Sequence, residues 1–100
     1  MNYRFLPKAE LELNQAIDYY ETYQSKLGLA FFNEILLAIN NIIAFPYAWS
    51  KISNECHRIL LKRFPYGIIY SVESNHILII SIMNIHRKPF YWKNRIDNKI

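Results

Sequence analysis

Residues 56–95 read CHRILLKRFPYGIIYSVESNHILIISIMNIHRKPFYWKNR, and this stretch decides the fold. It contains three apolar runs rich in β-branched residues: Arg58–Leu61, Gly67–Val72 and Ile77–Ile85. Turn-forming or charged residues bound each run, which is the pattern typical of β-strands. The short links between the runs contain Pro, Gly, Ser and Asn and predict hairpin turns. The stretch therefore predicts an antiparallel meander of three strands.

The first half of the chain predicts one more strand and two helices: Tyr3–Leu6, Lys8–Gln24 and Leu29–Ala44. Apolar residues recur at helical spacing in both helical segments. Gly28 lies in the break between them, where we expect it to take a positive φ. Residues 46–55 predict a loop, and residues 88–96 predict a short closing helix.

The order β-α-α-β-β-β(-α) predicts an α+β fold, with an antiparallel sheet packed against a helical hairpin. The length of 100 residues fits a single domain over residues 1–100. The run Ile77–Ile85 is apolar on both faces apart from Ser81 and Asn84. We therefore expect it to be an interior strand that is covered on both sides.

Composition excludes several classes of protein. Apolar residues make up 52% of the chain, which excludes a disordered protein. The single cysteine, Cys56, predicts a reducing compartment, and no Cys/His spacing indicates a metal site, so we expect neither a metal nor another cofactor. No apolar run approaches ~20 residues and no secretion signal is evident, so we expect a cytoplasmic protein without a membrane span.

Charge is unevenly distributed along the chain. Residues 1–50 carry three basic and five acidic residues, a net charge of −2, whereas residues 51–100 carry nine and three, a net charge of +6. Such asymmetry indicates an acidic partner for the second half, although a solvated basic face is an equally open reading. The candidate partner-binding residues are Arg58, Lys62, Arg63, Arg87, Trp92 and Arg95. For Trp92, a place in the core is the commoner role.

Three side chains are candidates for a chemical role. Arg58 lies among apolar neighbours, where it can bind a phosphate or carboxylate, or form a salt bridge with Glu55 or Glu73. His86 follows the last apolar run and can act as a general acid or base, or be a partly buried structural histidine. Tyr91 can stack on a nucleobase or close the core.

Two other combinations are excluded as catalytic. Cys56 and His57 are adjacent on a predicted strand, so their side chains point to opposite faces. Glu10 and Glu12 are expected on a solvated face of the first helix. The sequence contains no Gly-rich phosphate loop and no recognisable nucleophile–base signature.

Three segments together resemble the RelE/ParE superfamily: AIDYYETYQSKLGLAFFNEILLAINNIIAFP (16–46), HRILLKRFPYGIIYSV (57–72) and NIHRKPFYWKNR (84–95). Members of this superfamily are small basic toxins of bacterial type II toxin–antitoxin modules. The resemblance implies a cognate antitoxin that wraps the toxin, masks its working surface and forms a hetero-oligomer with it.

The resemblance also implies one of two activities. RelE-like members cleave mRNA in the ribosome, whereas ParE-like members inhibit DNA gyrase. Arg58 and Arg87 match basic positions of the nuclease branch, and Tyr91 lies near its tyrosine. Leu60 and Gly67, however, occupy two positions at which that branch carries charge. The chain is therefore closer to the ParE-like branch.

We expect a toxin that acts by binding, with gyrase as a possible target. The alternative is a ribosome-dependent mRNA endonuclease whose catalytic residues would be Arg58, His86, Arg87 and Tyr91. A third reading is a degenerate relative that only binds its antitoxin and helps to regulate the operon.

Overall fold

The computed structural model describes residues 1–96 and contains the predicted strands and helices, with small shifts at their ends. The elements are β1 (Asn2–Phe5), α1 (Pro7–Tyr23), α2 (Leu27–Ala44), β2 (Cys56–Leu60), β3 (Tyr66–Val72) and β4 (His76–Asn84). The predicted closing helix over residues 88–96 is wrong for most of its length, because only Lys93–Arg95 forms a short 3₁₀ turn. Phe90 has a φ of 60°, and this left-handed residue interrupts any longer helix.

The four strands form one sheet in the order β1-β4-β3-β2. Strands β2, β3 and β4 are the predicted antiparallel meander, whereas β1 pairs with β4 in parallel. The sheet is therefore mixed. A parallel neighbour is possible here because β1 and β4 are joined by the helical hairpin and the other strands rather than by a tight turn.

The interior position predicted for the last strand is confirmed. Strand β4 lies between β1 and β3, and every residue from Ile77 to Met83 is buried. On one face of the sheet, the ring of Tyr66 packs against Phe31 of α2 at 5.0 Å between centroids. The other face, which we call the open face, is partly covered by the segment that follows β4. Trp92 from this segment is buried.

A bulge lies in the middle of β4. Ile69 pairs with Ser81, but the next residue, Tyr70, pairs with Ile79, so Ile80 has no partner on β3. A bulge of this kind adds one residue to a strand and re-aims the side chains beside it. Here it separates the part of β4 that β1 covers from the part beyond the end of β1.

Helix α2 is long and apolar enough to cross a membrane by length and composition alone, and within residues 1–96 it is the one helix of that kind. Its buried side chains include Phe31, Ile35, Ile39 and Ile42. These residues pack into the hydrophobic core with α1 and the sheet. The same composition is expected of a core helix in a globular domain.

The role predicted for Gly28 is wrong. Lys26, with a φ of 69°, takes the left-handed conformation at the break, and Gly28 lies inside the first turn of α2. A Cβ on Gly28 would lie 2.6 Å from the carbonyl oxygen of Ile17 on α1. The carboxylate of Glu21 accepts hydrogen bonds from the backbone N–H of Lys26 at 2.9 Å and of Gly28 at 3.1 Å. The glycine therefore allows the two helices to approach each other closely.

Replacing Gly28 with alanine tests this packing. Helix propensity alone would make the change stabilising by about 1 kcal/mol. We expect a loss of about 1–3 kcal/mol in the free energy of unfolding instead, because the new methyl group forces the helices apart. Urea denaturation measures whether the substitution raises or lowers the free energy of unfolding. A control, Asn40→Ala on the exposed side of α2, should be neutral or stabilising by no more than about 0.7 kcal/mol, and a stabilised Gly28→Ala variant would contradict the close-approach explanation.

Candidate interaction face

A shallow depression of about 150 Å³ lies on the open face, where β2 and β4 meet the segment after β4. Its lining combines apolar side chains with two arginines: Ile52, Arg58, Ile69, Met83, Ile85, Arg87, Pro89, Phe90 and Trp92. Arg58 and Arg87 thus lie on one surface. We call this depression and its rim the interaction face.

Arg58 projects from β2 and is half-buried. Its cross-strand partner is Ile69, which pairs in turn with Ser81, so the three residues form one row on the open face. Among residues 1–96 the one ion pair within 4.0 Å joins Glu12 and Arg95. The salt bridge to Glu55 or Glu73 considered for Arg58 is therefore not formed. A half-buried guanidinium in this position presents charged N–H donors beside an apolar floor.

Arg87 lies just beyond the end of β4 and is exposed. Its guanidinium carbon lies 3.9 Å from the centroid of the Tyr91 ring. At this distance the cation is attracted by the electron-rich face of the ring. The contact holds the guanidinium at the rim of the interaction face while leaving its charge without a carboxylate partner among the described residues.

Leu60 and Gly67, the positions without the charges of the nuclease branch, are directly opposite each other on β2 and β3. A Cβ on Gly67 would lie 3.0 Å from a methyl group of Leu60, so Leu60 packs over the space that the glycine leaves. The two positions that differ from the nuclease branch therefore pack against each other as a pair. Leu60 remains 51% exposed and, with exposed Ile85 and Phe90, gives the open face an apolar surface.

Tyr91 lies beside this face, but its hydroxyl is already engaged. It donates a hydrogen bond to Glu12 Oε2 at 2.5 Å and lies 2.8 Å from the hydroxyl of Ser81. Burial first, and then the hydrogen bond to Glu12, raises the pKa of the Tyr91 phenol to about 12. The structure therefore uses this hydroxyl internally, and the ring is the part that faces Arg87.

Glu12 is not on a solvated face of the first helix, so that expectation is wrong. Its side chain is 13% exposed, and Arg95 binds it bidentately with distances of 2.8 and 3.0 Å. The sequence contained the signal: Glu12 follows Ala9 by three residues and precedes Ala16 by four, and both alanines are buried. This spacing puts the carboxylate on the core stripe of α1. Glu10 is exposed as expected.

His86 lines a different surface. It borders a wider groove of about 530 Å³ on the helix side, together with Tyr19, Tyr20, Tyr23, Leu27, Pro65, Tyr66 and Asn84. The four candidate catalytic residues are therefore not brought to one place. Arg58 and Arg87 share the interaction face, Tyr91 lies beneath Arg87, and His86 lines this separate groove.

The remaining candidates divide between exposed and buried positions. Lys62 and Arg63 are exposed in the turn after β2, where their backbone N–H groups donate to Glu34 Oε2 at 2.9 and 3.2 Å. Trp92 is 1% exposed, so its side chain belongs to the core. Arg95 is 12% exposed and is bound to Glu12. Any part played by these residues in partner binding stays a prediction.

Comparison with known proteins identifies the family of the chain. Residues 3–89 match the family described as the ParE toxin of the type II toxin–antitoxin system parDE. The chain belongs to the ParE toxin family. The resemblance seen in the sequence, and its leaning towards the ParE-like branch, are thereby confirmed. Tyr91 and Arg95, the two residues that bind Glu12 from the C-terminal segment, lie outside the matched range.

A solved structure gives the same fold for this ParE-family toxin. It is described as the chromosomal ParDE toxin–antitoxin system from P. aeruginosa, with a TM-score of 0.73 and 19% identity. The match covers 84% of this chain and 95% of that chain. No curated protein matches the sequence. At this identity the likeness establishes the α+β architecture alone.

The raised pKa of Tyr91 predicts a loss of stability in alkali. An unfolded tyrosine ionises near its ordinary pKa of about 10. The stabilisation from the neutral buried phenol is therefore complete below that pH and is lost as the pH rises through about 12. We expect the free energy of unfolding of the toxin to fall between about pH 10 and pH 12, and Tyr91→Phe to make this fall less steep.

Tyr70 needs its own control, because burial also raises its pKa to about 12. Urea denaturation at several alkaline pH values measures the slope for wild type, Tyr91→Phe and Tyr70→Phe. The matched control is Tyr23→Phe, which changes an exposed tyrosine and should leave the slope as it is in wild type. Equal slopes for wild type and Tyr91→Phe would contradict the buried, hydrogen-bonded state of Tyr91.

Proposed function

We propose that this ParE-family toxin acts by binding a protein target through the interaction face, and that the target is DNA gyrase. The observation that carries the proposal is the composition of that face. Arg58 and Arg87 line the depression among apolar side chains, and Leu60, on the same face of β2 as Arg58, fills the space over Gly67 where the nuclease branch carries charge. Such a face is suited to binding another protein.

The geometry offers little support for RNA cleavage. That reaction needs an acid, a base and donors that stabilise the extra charge on the phosphate. His86 lies in the tyrosine-lined groove rather than beside Arg58 and Arg87. The Tyr91 hydroxyl is held by Glu12 and Ser81. The two arginines alone supply charge stabilisation without a proton-transfer group at their side.

Protein–protein interfaces commonly have the composition of the interaction face. Their energetically important centres combine apolar side chains with arginines, and charged groups at the rim set orientation. Leu60, Ile85 and Phe90 are each about half exposed, at 51%, 48% and 50%. Arg58 and Arg87 would each meet a carboxylate of the target, because a guanidinium binds that group with two parallel hydrogen bonds.

Neutralisation by a cognate antitoxin is the second part of the proposal. The similar P. aeruginosa structure is described as a ParDE toxin–antitoxin system, which supports a partner of this kind for the present chain. The net charge of +6 in residues 51–100 favours an antitoxin segment with acidic side chains. We propose that toxin and antitoxin form a hetero-oligomer in the cytoplasm and that the antitoxin covers the interaction face.

Inhibition of purified gyrase in a DNA supercoiling assay tests the target. We expect Arg58→Ala and Arg87→Ala each to raise the half-inhibitory concentration by about tenfold or more, because each removes a cationic anchor of the interface. Lys93→Ala, which removes an exposed charge from the 3₁₀ turn, is the matched control and should remain within about twofold of wild type. Thermal melting of each variant checks that the fold is retained.

Two results would overturn this assignment. Undiminished supercoiling at a large excess of toxin would exclude gyrase as the target. Primer extension on cellular mRNA after induced expression gives the second result. Codon-dependent cuts that appear within minutes would establish the endonuclease alternative and exclude a toxin that acts by binding alone.

A further inference from the structure

A continuous set of contacts joins a buried carboxylate on α1 to an exposed arginine on the interaction face. Arg87 stacks on the Tyr91 ring at 3.9 Å, and the Tyr91 hydroxyl donates to Glu12 at 2.5 Å. Glu12 lies 79 residues before Tyr91 in the chain. The position of the arginine is therefore linked to a residue on an element that lies outside the interaction face.

We propose that Glu12 is a positioning residue for target binding: through the Tyr91 hydroxyl, it fixes the ring against which Arg87 is held. This inference rests on the proposed function, in which Arg87 contacts the target. It assigns a role to a residue that makes no contact with the interaction face itself. Tyr91 transmits the effect, and Arg87 makes the contact.

The carboxylate of Glu12 is itself held rigidly. Oε1 accepts hydrogen bonds from the Ser81 hydroxyl at 2.9 Å and from the backbone N–H of Ile82 at 3.1 Å, in addition to the bond from Arg95. Oε2 accepts from Tyr91 and from the second nitrogen of Arg95. Five donors from two parts of the chain, β4 and the C-terminal segment, thus fix both oxygens, so the hydrogen bond to Tyr91 fixes the ring as well.

Among the described residues no carboxylate forms an ion pair with Arg87, so its charge is available to a partner. Arg95 neutralises Glu12 in a bidentate pair, and its guanidinium carbon also lies 5.2 Å from the Tyr91 ring. Arg87 has the ring alone as its close partner among the described ionic and aromatic contacts. A cation held in place without a counter-ion loses less side-chain freedom when a carboxylate of the target arrives.

A double-mutant cycle separates positioning from a general structural role. Tyr91→Phe keeps the ring and leaves the Glu12–Arg95 pair intact, but it removes the hydroxyl anchor. In the gyrase assay we expect Tyr91→Phe to weaken inhibition by about threefold in the wild-type background and by less than about 1.5-fold in the Arg87→Ala background. A merely structural effect of Tyr91→Phe would be the same size in both backgrounds, and that result would overturn the proposal.

Glu12→Gln tests the carboxylate itself, with Glu10→Gln as the matched control at an exposed site on the same helix. We expect Glu12→Gln to weaken inhibition by about threefold and to lose this effect when Arg87 is alanine, whereas Glu10→Gln has no effect in either background. If thermal melting shows that Glu12→Gln does not fold, the cause is the buried Arg95 that this variant leaves without its counter-ion. Glu12→Gln/Arg95→Gln then replaces it, since it removes both charges together.

A measurement on the toxin alone tests whether Glu12 positions Arg87, independently of whether gyrase is the target. In solution NMR, the side-chain protons of Arg87 should be shifted upfield by the Tyr91 ring in wild type and in Glu10→Gln. The shift should decrease towards the value for an unstructured arginine in Tyr91→Phe and in the Glu12 variant. Unchanged Arg87 shifts in both variants would overturn the positioning role, whereas loss of shift in a toxin that leaves gyrase active would overturn the proposed target alone.

Discussion

The central strand β4 is buried along its length, and β1 pairs with it only as far as Ile79. Beyond that point, its outward backbone groups need other partners, since a buried polar group without a hydrogen bond costs about 1–3 kcal/mol. Glu12 accepts from the N–H of Ile82, and Arg95 donates to the carbonyl of Ile80 at 3.1 Å. This one ion pair therefore completes the edge of the sheet and ties both α1 and the C-terminal segment to it.

The C-terminal segment takes its shape from this attachment. Arg95 and Trp92 anchor one end of it, the first by the ion pair and the second by burial. Phe90, between these anchors and Arg87, has a left-handed backbone with a φ of 60°, a conformation that costs energy for a bulky residue. The turn directs Trp92 inward and leaves the Phe90 ring half exposed at the interaction face. The strained residue therefore lies at the proposed binding surface.

The helices and strands were predictable because period-2 and period-3.6 patterns report which side of an element is buried. The sequence also marked Leu60 and Gly67 as positions without charge. Their direct pairing was not predictable, because register depends on the turn, here closed by the hydrogen bond from Leu61 N–H to Tyr66 carbonyl at 2.9 Å. Glu12 was misassigned because carboxylates are rarely buried, and its partner Arg95 is distant in sequence. Such partners are fixed only by tertiary structure.

Within the interaction face, the apolar side chains and the two arginines would contribute to binding in different ways. Its apolar part rests on paired strands, where Leu60 lies over Gly67, so little order has to be gained on binding. In the proposed interface the two arginines would supply long-range attraction and directional hydrogen bonds in addition to part of the affinity. Arg58 projects from a strand, and the guanidinium of Arg87 is held against an aromatic ring. In the proposed complex, such a surface would select a partner by the spacing of its carboxylates around an apolar centre.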